Sequence, residues 1–441
     1  MAEPLTILLV GGGGREHALA WRLRQENPSA RILAAPGNPG IAELATCVPV
    51  RATDVPGLVA LARQERVEWT LVGPEAPLAA GLADAFRAES MPIFGPTRAA
   101  AAIESSKAFA KEIMSEAGVP TARATTCRSL DEANRAIDEL ADDAGGGRVV
   151  IKASGLAAGK GVVVAVSREG ARAAAASMLT EHAFGDAGDT LLVEEFMDGE
   201  ELSVFAITDG ERVITLPASQ DHKRLRDHDE GPNTGGMGAY CPVSLADAPG
   251  FEDDVVERIV RPTLAALRAR GTPFTGLMYV GLMVSASGPR VVEFNCRFGD
   301  PETEAVLPAI GADVHLFDAM STVARGERLS TESSIPADRA AVTTVIAAAG
   351  YPEHPRSGDE IRLPPVEGDL LVFHAGTARG PGGGLETSGG RVLAVTGVGA
   401  TLEDARARSQ EFARAVEFTG KQFRSDIAWR ELSRRARVTR D

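Results

Sequence analysis

The sequence predicts an α/β protein (α+β in part) that begins with a doubly wound parallel sheet and ends in a small α/β domain. Leu5–Val10 is an unbroken apolar run, Gly11–Gly14 follows it, and Arg15–Arg24 has the periodicity of a helix. The alternation continues through strand-like Arg31–Ala35, Trp69–Val72 and Pro92–Phe94 and helix-like Val55–Glu65 and Leu78–Glu89. Such alternation indicates a parallel sheet, whose ligands bind at the carboxyl ends of the strands.

The composition is that of a folded protein with an acidic surface. The chain has 441 residues, of which 44% are hydrophobic and 24% charged, and its net charge is -15. We exclude a disordered chain, and we expect no nucleic-acid partner because an acidic surface repels phosphate backbones. No run approaches the ~18 apolar residues of a membrane span, so no membrane partner is expected. The four cysteines form no CxxC pair and the N-terminus lacks a secretory pattern, which favours a cytoplasmic protein without zinc or disulfides.

The middle and the end of the chain mix helices and strands. Helices are predicted over Ser106–Glu116, after the capping box Ser129–Glu132, and over Glu252–Arg268. Strands are predicted within Val149–Ala165 and over Leu191–Phe196, Leu202–Thr208, Val213–Leu216, Met278–Ser285 and Pro289–Asn295. The pattern changes near Ser333–Pro336, and strands Ala340–Ala348, Leu370–Thr377 and Gly390–Thr396 precede a helix that ends at about Val416. A C-terminal domain is therefore predicted from about residue 330.

A glycine-rich segment has the pattern of a phosphate-binding loop. Glu16 stands where a GxGxxG fingerprint needs glycine, and Ser154 and Gly161 break the P-loop pattern around Gly159 and Lys160. Residues 151–164 read as strand, glycine-rich turn with a lysine, and strand, which suits a loop that closes over phosphates with its N–H groups. An ordinary glycine-rich hairpin has the same pattern, so both interpretations stay open at this point.

Two acidic segments have the chemistry of a nucleotide and metal site. In 193–203, a strand edge followed by acids suits adenine and ribose, although a solvated acidic turn has the same pattern. Residues two apart on a strand face the same side, so Glu293 and Asn295 present two oxygen donors suited to Mg²⁺. Arg297 continues that face and suits a transferring phosphoryl group. A polar strand end without metal is the alternative.

The long segment 221–240 and the scarcity of lysine add two further signals. The segment is predicted as irregular, and its glycines indicate close approach of the backbone to a ligand. His222 and His228 lie in it, but their spacing and the lack of a cysteine partner argue against zinc.

The chain has only six lysines, so each is a candidate for a place that needs a compact ammonium group, or else a remnant on the surface. The six are Lys107, Lys111, Lys152, Lys160, Lys223 and Lys421.

In their order along the chain, these segments resemble the phosphoribosylamine–glycine ligase (glycinamide ribonucleotide synthetase) family of the ATP-grasp superfamily. The resemblance covers almost the whole chain. It is carried by GGGGREHALAW (11–21), PGNPG (36–40), VGPEAPLAAGL (72–82), KASGLAAGKGVVVA (152–165), GPNTGGMGAY (231–240) and EFNCRFGDPE (293–302). The last two strings are highly specific. The sequence departs from the family at Ser154, where Asp is frequent, at Gly11, where Asn is frequent, and at Ser409–Gln410, where an Ala-Tyr-like pair is common.

The resemblance implies three domains and an ATP-dependent carbon–nitrogen ligase. The domains are an N-terminal pre-ATP-grasp domain over 1–104, an ATP-grasp domain over 105–329 with a mobile lid at about 122–192, and a C-terminal domain over 330–441. Glycine would react with ATP to give glycyl phosphate, which the amine of 5-phospho-β-D-ribosylamine then attacks. The products are glycinamide ribonucleotide, ADP and phosphate, the second step of de novo purine (IMP) biosynthesis. The implied cofactor is Mg²⁺ or Mn²⁺, the partners are small molecules, and the implied state is a monomer or weak homodimer.

The resemblance also implies roles for individual residues. Residues matched to ATP binding are Lys107, Lys152, Gly155, Gly159, Lys160, Gly161, Glu194, Glu195 and Glu201. Those matched to the metal are Glu293 and Asn295, and those matched to catalysis are Arg297, Lys223 and Asp221. Those matched to the substrates are Gly12, Gly13, Gly14, Arg15, Glu16, Asn38, Gly73, Pro74, Glu75, Asn233, Thr234 and Gly235.

Three alternatives compete with this interpretation. A different ATP-grasp enzyme, such as a carboxylase-type ligase, would share the ATP site but lack GPNTGGMGAY. A catalytically silent nucleotide-binding module would be favoured by lost metal ligands, yet Glu293, Asn295 and Arg297 are present. A segment of a multifunctional purine enzyme would continue into a further domain, whereas this chain ends at Asp441, so a single-function enzyme is expected.

Overall fold

A computed structural model describes residues 5–141, 146–155, 161–180 and 188–438. Its first sheet has five strands, and all neighbouring strands are parallel. They are β1 (Thr6–Gly11), β2 (Arg31–Pro36), β3 (Thr46–Cys47), β4 (Trp69–Val72) and β5 (Ile93–Phe94), in the order β3-β2-β1-β4-β5. Ile7 and Leu9 pack in one apolar cluster while Leu8 and Val10 pack in another, so both faces of β1 are covered. The predicted doubly wound parallel sheet is confirmed.

Five helices accompany this sheet, and one of them differs from its prediction. They are α1 (Gly14–Glu26), α2 (Val55–Gln64), α3 (Glu75–Ala79), α4 (Leu82–Ala88) and α5 (Arg98–Ser105). The single helix predicted over Leu78–Glu89 is wrong, because Gly81 adopts a φ of 91° and separates α3 from α4. A left-handed residue cannot continue a right-handed helix, and glycine adopts this conformation at little cost.

A smaller antiparallel sheet of four strands follows, with its own apolar core. Its order is β6 (Ala124–Cys127), β9 (Leu191–Glu195), β7 (Val149–Ala153) and β8 (Val162–Ala165). The helices of this region are α6 (Lys107–Ala117), α7 (Leu130–Leu140) and α8 (Arg168–Thr180). Ser106 and Ser129 cap α6 and α7 with their side chains, and Gly118 ends α6 at a φ of 64°. The predicted cap at Ser129 and the predicted stop of α6 are confirmed, whereas Ser106, predicted as the first helical residue, is the N-cap.

The largest sheet has nine strands and joins the middle of the chain to its C-terminal part. Eight of them run in the order β16 (Gly288–Asn295), β15 (Gly276–Ser285), β10 (Glu200–Thr208), β11 (Val213–Asp221), β14 (Gly238–Cys241), β18 (Ala340–Ala347), β23 (Arg391–Gly399) and β20 (Leu370–His374). The ninth, β17 (Ser333–Ser334), pairs with β11. The pairing of β14 with β18 makes the sheet continuous across the two parts of the chain.

Two small sheets and six further α-helices complete the described chain. β12 (Arg224–Arg226) pairs with β13 (Glu230–Asn233), and β22 (Leu385–Thr387) lies between β19 (Glu360–Ile361) and β21 (Thr377–Arg379). The helices are α9 (Phe251–Val255), α10 (Arg261–Ala269), α11 (Glu302–Ala309), α12 (Leu316–Ala324), α13 (Leu402–Ala415) and α14 (Trp429–Val438). A π-helical turn over Val256–Val260 joins α9 to α10.

Two strand predictions need correction. The segment 221–240 is not wholly irregular, because it contains β12, β13 and β14; its glycines, prolines and asparagines concealed these short strands. The strand predicted over Leu370–Thr377 ends at His374, and Thr377 begins β21. No helix among the described residues is long and apolar enough to cross a lipid bilayer.

A buried arginine holds the N-terminal sheet against the end of α11. The guanidinium of Arg22 on α1 donates to the carbonyl oxygens of Ile310, Gly311 and Val314 at 3.1, 2.8 and 2.6 Å. It also pairs with Glu26 at 2.6 Å, and both side chains are almost fully buried. Because the donors of Arg22 are satisfied, this contact fixes α1 relative to the turn that follows α11.

Candidate active site

A cavity of about 810 Å³ lies where the three main sheets meet. Its volume is that of a site for a nucleotide-sized ligand. Predicted site residues that line it are Arg15, Pro74, Glu75, Lys107, Lys152, Gly161, Glu194, Glu195, Glu201, Asp221, Lys223, Asn233, Thr234, Gly235, Glu293, Asn295 and Arg297. The structure therefore brings together residues that are up to 282 positions apart in the sequence, from Arg15 to Arg297.

One corner of the cavity contains three lysines around a buried carboxylate. Lys152 on β7 and Lys111 on α6 lie 2.8 and 3.2 Å from the two oxygens of Glu194 on β9. Burial opposes ionisation of Glu194, but the two lysines outweigh it and lower the pKa of that carboxyl. Burial lowers the pKa of Lys107 and of Lys111. The corner holds more positive than negative charge, as a site for phosphates requires.

Ser154 joins the start of α6 to the glycine-rich turn. Its hydroxyl accepts the N–H of Ala108 at 3.1 Å, and its carbonyl oxygen accepts the N–H of Lys107 at 2.9 Å. The Nζ of Lys107 donates to the carbonyl oxygen of Gly155 at 3.2 Å. Ser154 thus helps to cap the N-terminus of α6, a role that serine can fill where Asp is frequent in the family. Gly159 and Lys160 lie outside the described residues.

The predicted adenine and ribose acids are already paired with cations. Glu195 receives hydrogen bonds from Arg290 and from Arg123, the latter at 2.7 Å, and these outweigh burial and lower its pKa to about 2. Glu201 forms a short ion pair with Lys223. Glu195 is therefore a fixed carboxylate at the edge of the cavity, whereas Glu201 shares its charge with a predicted catalytic lysine.

The predicted metal ligands Glu293 and Asn295 lie on β16 and both line the cavity. Neither side chain makes a hydrogen bond or ion pair with another described residue. Burial opposes ionisation of Glu293, but Lys223, Lys152 and Lys107 outweigh it and lower its pKa. Two unpartnered hard oxygen donors fit a divalent cation whose other ligands are phosphate and water. In the described part of the chain, no group of three or more His, Cys, Asp or Glu side chains is arranged around a common metal position.

Arg297 is held by two carboxylates from the N-terminal region. Its guanidinium lies 2.9 Å from Glu104 on α5 and 3.2 Å from Glu75 on α3, and it also donates to the carbonyl oxygen of Phe298 at 3.1 Å. Burial opposes ionisation of Arg297, but the two carboxylates outweigh it and raise its pKa. Every end of the guanidinium therefore has a partner, and its plane is fixed beside the metal ligands.

Asp221 and Tyr279 form the floor of the cavity with Glu302. The hydroxyl of Tyr279 donates to Glu302 at 2.9 Å and lies 2.7 Å from the hydroxyl of Ser203. Burial raises the pKa of Asp221 to about 8, and Lys223 opposes this shift. Burial opposes ionisation of Lys223, but Glu201 and Asp221 outweigh it and raise its pKa well above the usual value. The pair therefore combines an acid that titrates near neutral pH with a permanent cation.

Some predicted substrate residues lie behind the cavity rather than on its surface. The residues that do not line it are Gly12, Gly13, Gly14, Glu16, Asn38, Gly73 and Gly155. Glu16 accepts the N–H of Gly13 and the Nε–H of Arg15, both at 2.6 Å, so it shapes the first turn. Asn38 donates to the carbonyl oxygens of Gly12 and His374 at 3.0 and 2.7 Å. These two side chains fix the turn at the N-terminus of α1.

The cavity also contains polar residues to which the sequence analysis assigned no role. They include Glu104, Lys111, Tyr279, Asp300, Glu302, Arg391 and Arg430. The scarcity of lysine was a usable signal for Lys111, since Lys107, Lys111, Lys152 and Lys223 all line the cavity and Lys421 does not. No comparable signal marked Arg391 or Arg430, because arginine is the general surface cation of this chain.

Comparison with known family models defines the class of the protein. The phosphoribosylglycinamide synthetase ATP-grasp (A) domain matches residues 105–303. The N domain and the C domain of the same synthetases match residues 5–104 and 341–430. Together with the cavity, these matches define an ATP-grasp ligase.

Comparison with individual proteins gives the same family. The chain is 44% identical to the phosphoribosylamine–glycine ligase of Caulobacter vibrioides, over 98% of this chain and 100% of that protein. The crystal structure of the phosphoribosylamine–glycine ligase of Thermotoga maritima superposes with a TM-score of 0.82 at 32% identity, over 96% of this chain and 99% of that one. The biotin carboxylase domain of the Hydrogenobacter thermophilus 2-oxoglutarate carboxylase has a TM-score of 0.71 at 19% identity, over 95% and 91% of the two chains, and so shares the fold alone. The chain belongs to the phosphoribosylglycinamide synthetase family.

Proposed function

We propose that the protein is an ATP-dependent ligase that joins glycine to 5-phospho-β-D-ribosylamine and forms glycinamide ribonucleotide, ADP and phosphate. Family membership supports the overall reaction in purine biosynthesis. The structural observation that carries the proposal is the convergence of Lys107, Lys152, Glu293, Asn295 and Arg297 on one cavity. Cations for phosphates and hard oxygen donors for a metal are what phosphoryl transfer requires.

ATP occupies the side of the cavity formed by β7, β8, β9 and α6. Lys107 and Lys152 face its phosphates. The loop matched to phosphate covering runs through 156–160, which lie outside the described residues. Residues of β9 and the following turn, Glu194 to Glu201, contact the adenine and ribose. The ion pairs of Glu194 support this placement, because they hold the ammonium groups in the cavity before ATP binds.

Glu293 and Asn295 would hold Mg²⁺ or Mn²⁺, since both are oxygen donors on one face of β16. When bound, the metal would supply a Lewis acid that neutralises charge on the transferring phosphoryl group. The nearby lysines keep Glu293 ionised and ready to bind a cation.

The first chemical step joins glycine to phosphate. A carboxylate oxygen of glycine attacks the γ-phosphorus of ATP, the bond to the β,γ-bridging oxygen breaks, and ADP leaves. Arg297 faces the equatorial oxygens of the transferring group, where developing charge needs a fixed donor. Its two carboxylate partners, Glu75 and Glu104, hold the guanidinium in place beforehand.

The second step forms the amide. The amine nitrogen of phosphoribosylamine attacks the carbonyl carbon of glycyl phosphate, inorganic phosphate leaves, and the nitrogen loses a proton. Asp221 accepts this proton, because its pKa of about 8 lies close to the working pH of such a base. Lys223 lies beside the leaving phosphate and the glycine. Neither step requires a nucleophilic serine or cysteine.

The phosphate of the acceptor binds near the first turn of the chain. Gly12, Gly13 and Gly14 form the turn at the N-terminus of α1, where the helix dipole suits a phosphate, and the N–H of Gly13 is already bonded to Glu16. Arg15, Pro74 and Glu75 line the adjoining wall, and Asn233–Gly235 lie on the opposite side. Glu16, Asn38 and Gly73 shape this turn from behind.

We also propose domain limits, classes of partner, a cellular location and an oligomeric state. The family-model matches over 5–104, 105–303 and 341–430 support an N-terminal domain over 1–104, an ATP-grasp domain over 105–329 with a lid at about 122–192, and a C-terminal domain over 330–441. The net charge of -15 supports small-molecule substrates and no nucleic-acid partner. ATP as co-substrate supports a cytoplasmic location, and a monomer or weak homodimer is the proposed state.

Isotope transfer tests the proposed order of steps. Turnover with glycine labelled by ¹⁸O in its carboxylate should place one labelled oxygen in each inorganic phosphate, because that oxygen bridges carbon and phosphorus in glycyl phosphate. Mass spectrometry of the phosphate reads this out. Unlabelled phosphate alongside a correct product would contradict the glycyl phosphate step while leaving the overall ligase activity intact.

A further inference from the structure

His222 is a buried histidine between two residues of the active site. Asp221 and Lys223 line the cavity, whereas His222 does not and is only 1% exposed. Its N–H donates to the carbonyl oxygen of Gly238 at 2.9 Å, and its carbonyl oxygen accepts the N–H of Met237 at 2.8 Å. Since neighbouring side chains of an extended segment point to opposite sides, the imidazole lies behind the segment that carries Asp221 and Lys223.

The imidazole is held by a segment near the C-terminus of the chain. Its Nε2 accepts the N–H of Ala428 at 3.0 Å. Because Nε2 accepts, the proton of the neutral ring lies on Nδ1, which faces a carboxylate oxygen of Asp229 at 4.0 Å. The ring also stacks at a tilt on Tyr240, with 6.2 Å between centroids. Nδ1 makes no hydrogen bond to a described residue, so the ring is positioned by the Ala428 N–H and by packing on Tyr240, with Asp229 nearby.

The backbone of Ala428 adopts an unfavourable conformation to make this contact. Its φ is 67°, in the left-handed region that alanine rarely occupies, and the residue is completely buried. Such a conformation persists only where the surroundings fix it, and it is enriched at functional sites. Here it directs the N–H of Ala428 at His222.

Buried ion pairs fix the rest of the C-terminal segment. Arg424 is fully buried and lies 2.7 Å from Asp426 and 2.9 Å from Asp229. Asp426 accepts the N–H of His228 at 2.8 Å, and Arg430 pairs with Asp229 at 2.5 Å. Arg430 itself lines the cavity. The segment 424–430 thus holds both the imidazole of His222 and the turn between β12 and β13.

We propose that His222 is a positioning residue of the ligase and that the segment 424–430 acts through it to place Asp221 and Lys223 against glycine and the acceptor amine. The inference rests on the proposed roles of Asp221 and Lys223. It connects the segment 424–430 to the two residues that are proposed to act on the substrates. Misplacement of a reacting group by about 1 Å costs on the order of 100-fold in rate, so a contact behind the cavity has a large effect on turnover.

A pair of substitutions at one position tests this role. His222→Leu removes the acceptor of the Ala428 N–H, while His222→Gln keeps an acceptor on a side chain of similar reach. We expect His222→Leu to lower kcat about 10- to 100-fold. We expect His222→Gln to recover at least a third of the wild-type kcat, and the affinity for ADP, measured by calorimetry, to change less than about threefold in both variants. His354→Leu, at an exposed histidine, is the control and should keep the wild-type kcat.

The outcomes separate this inference from the proposed function. Equal kcat in the Leu and Gln variants, or a loss of ADP affinity parallel to the loss of kcat, would overturn the positioning role. Lys223→Met is measured alongside: if it is inactive while His222→Leu is not, only this inference fails, and if it keeps kcat, the proposed role of Lys223 fails. Should His222→Leu not fold, Asp229→Asn replaces it, with an expected fall in kcat of at least about threefold at unchanged ADP affinity, and unchanged kcat contradicts the inference.

Discussion

The guanidinium of Arg297 lies 2.9 Å from the carboxylate of Glu104, which links the end of β16 to α5. The same carboxylate accepts the backbone N–H of Cys296 at 2.8 Å. Glu104 is 7% exposed, so this ion pair is shielded from water and from salt. The N-terminal region therefore determines where the predicted phosphoryl-stabilising arginine points.

Glu104→Gln tests this relationship. The substitution keeps the size of the side chain and an acceptor for Cys296, but it removes the charge that orients Arg297. We expect kcat to fall by about tenfold or more while KM for ATP changes little, because the interaction serves the transition state. Steady-state kinetics measures both constants. Glu112→Gln, which loses an exposed ion pair with Arg270, is the matched control and should behave as wild type.

Lys111→Met tests a cavity lysine that the motifs did not identify. Without it, Glu194 is compensated by Lys152 alone, which draws that ammonium group away from the phosphates of ATP. We expect KM for ATP to rise about tenfold, equivalent to about 1.4 kcal/mol of binding free energy. Lys421→Met, remote from the cavity, should leave KM unchanged. A normal KM for ATP in Lys111→Met would remove Lys111 from the nucleotide site.

Glu293→Gln tests the proposed metal ligand. The variant keeps one oxygen donor but loses the charge that attracts a divalent cation. We expect the Mg²⁺ concentration for half-maximal turnover to rise about tenfold or more, with an unchanged melting temperature in the absence of metal. Glu43→Gln, on an exposed side chain, provides the control. An unaltered Mg²⁺ dependence would refute the metal role of Glu293.

The buried imidazole of His17 predicts acid sensitivity of the contact between the first and last parts of the chain. Its Nδ1 accepts the N–H of His374 at 2.8 Å, and burial lowers its pKa to about 3. In the unfolded chain the imidazole of His17 binds a proton near pH 6.5, whereas in the folded chain it stays neutral down to about pH 3. The contribution of His17 to the free energy of unfolding is therefore fully present above pH 6.5 and declines as the pH falls. Between pH 7 and 5 we expect about 2 kcal/mol to be lost through this group.

Urea unfolding of His17→Asn measures this contribution. Asparagine offers an acceptor close to the position of Nδ1 and does not titrate, so the difference in unfolding free energy between pH 7 and 5 should be smaller than in the wild type. The substitution also shortens a buried side chain, which lowers stability at both pH values equally. Identical pH dependence in the two proteins would exclude His17 as the sensitive group.

Asp221 predicts the opposite trend at higher pH. Because its pKa is raised to about 8, the folded chain keeps a proton that the unfolded chain releases near pH 4. The contribution of Asp221 to the free energy of unfolding is therefore greatest at low pH and falls as the pH rises towards 8. Asp221→Asn should unfold with a weaker pH dependence between pH 5 and 8 in the absence of substrates. A dependence equal to that of the wild type would contradict the raised pKa.

The sequence predicted elements that local signals determine. The apolar run before Gly11, the serine cap of α7 and the glycine stop at Gly118 are fixed by nearby residues, and the structure has them all. It did not predict the break at Gly81 or the strands within 221–240. The break at Gly81 depends on backbone conformation. β14 depends on pairing with β18, a partner at least 100 residues away, and β12 and β13 pair with each other.

The candidate site also divides into residues that local sequence signals predicted and residues that only tertiary packing brings together. Glu293, Asn295 and Arg297 could be placed on one face because strand geometry fixes residues two apart. Glu104 and Arg430 could not, because only the packing of α5 and α14 brings them to the cavity. Residues that act through another residue leave no motif of their own.

The proposed ligase is defined by the substrates that it requires for conversion of ATP to ADP. The decisive measurement is ADP release with ATP, Mg²⁺ and glycine, in the presence and absence of freshly generated phosphoribosylamine, with mass detection of the product. We predict ADP formation only when both substrates are present, together with one glycinamide ribonucleotide for each ADP. Bound ATP without turnover, or ADP formation independent of phosphoribosylamine, would contradict the proposed ligase.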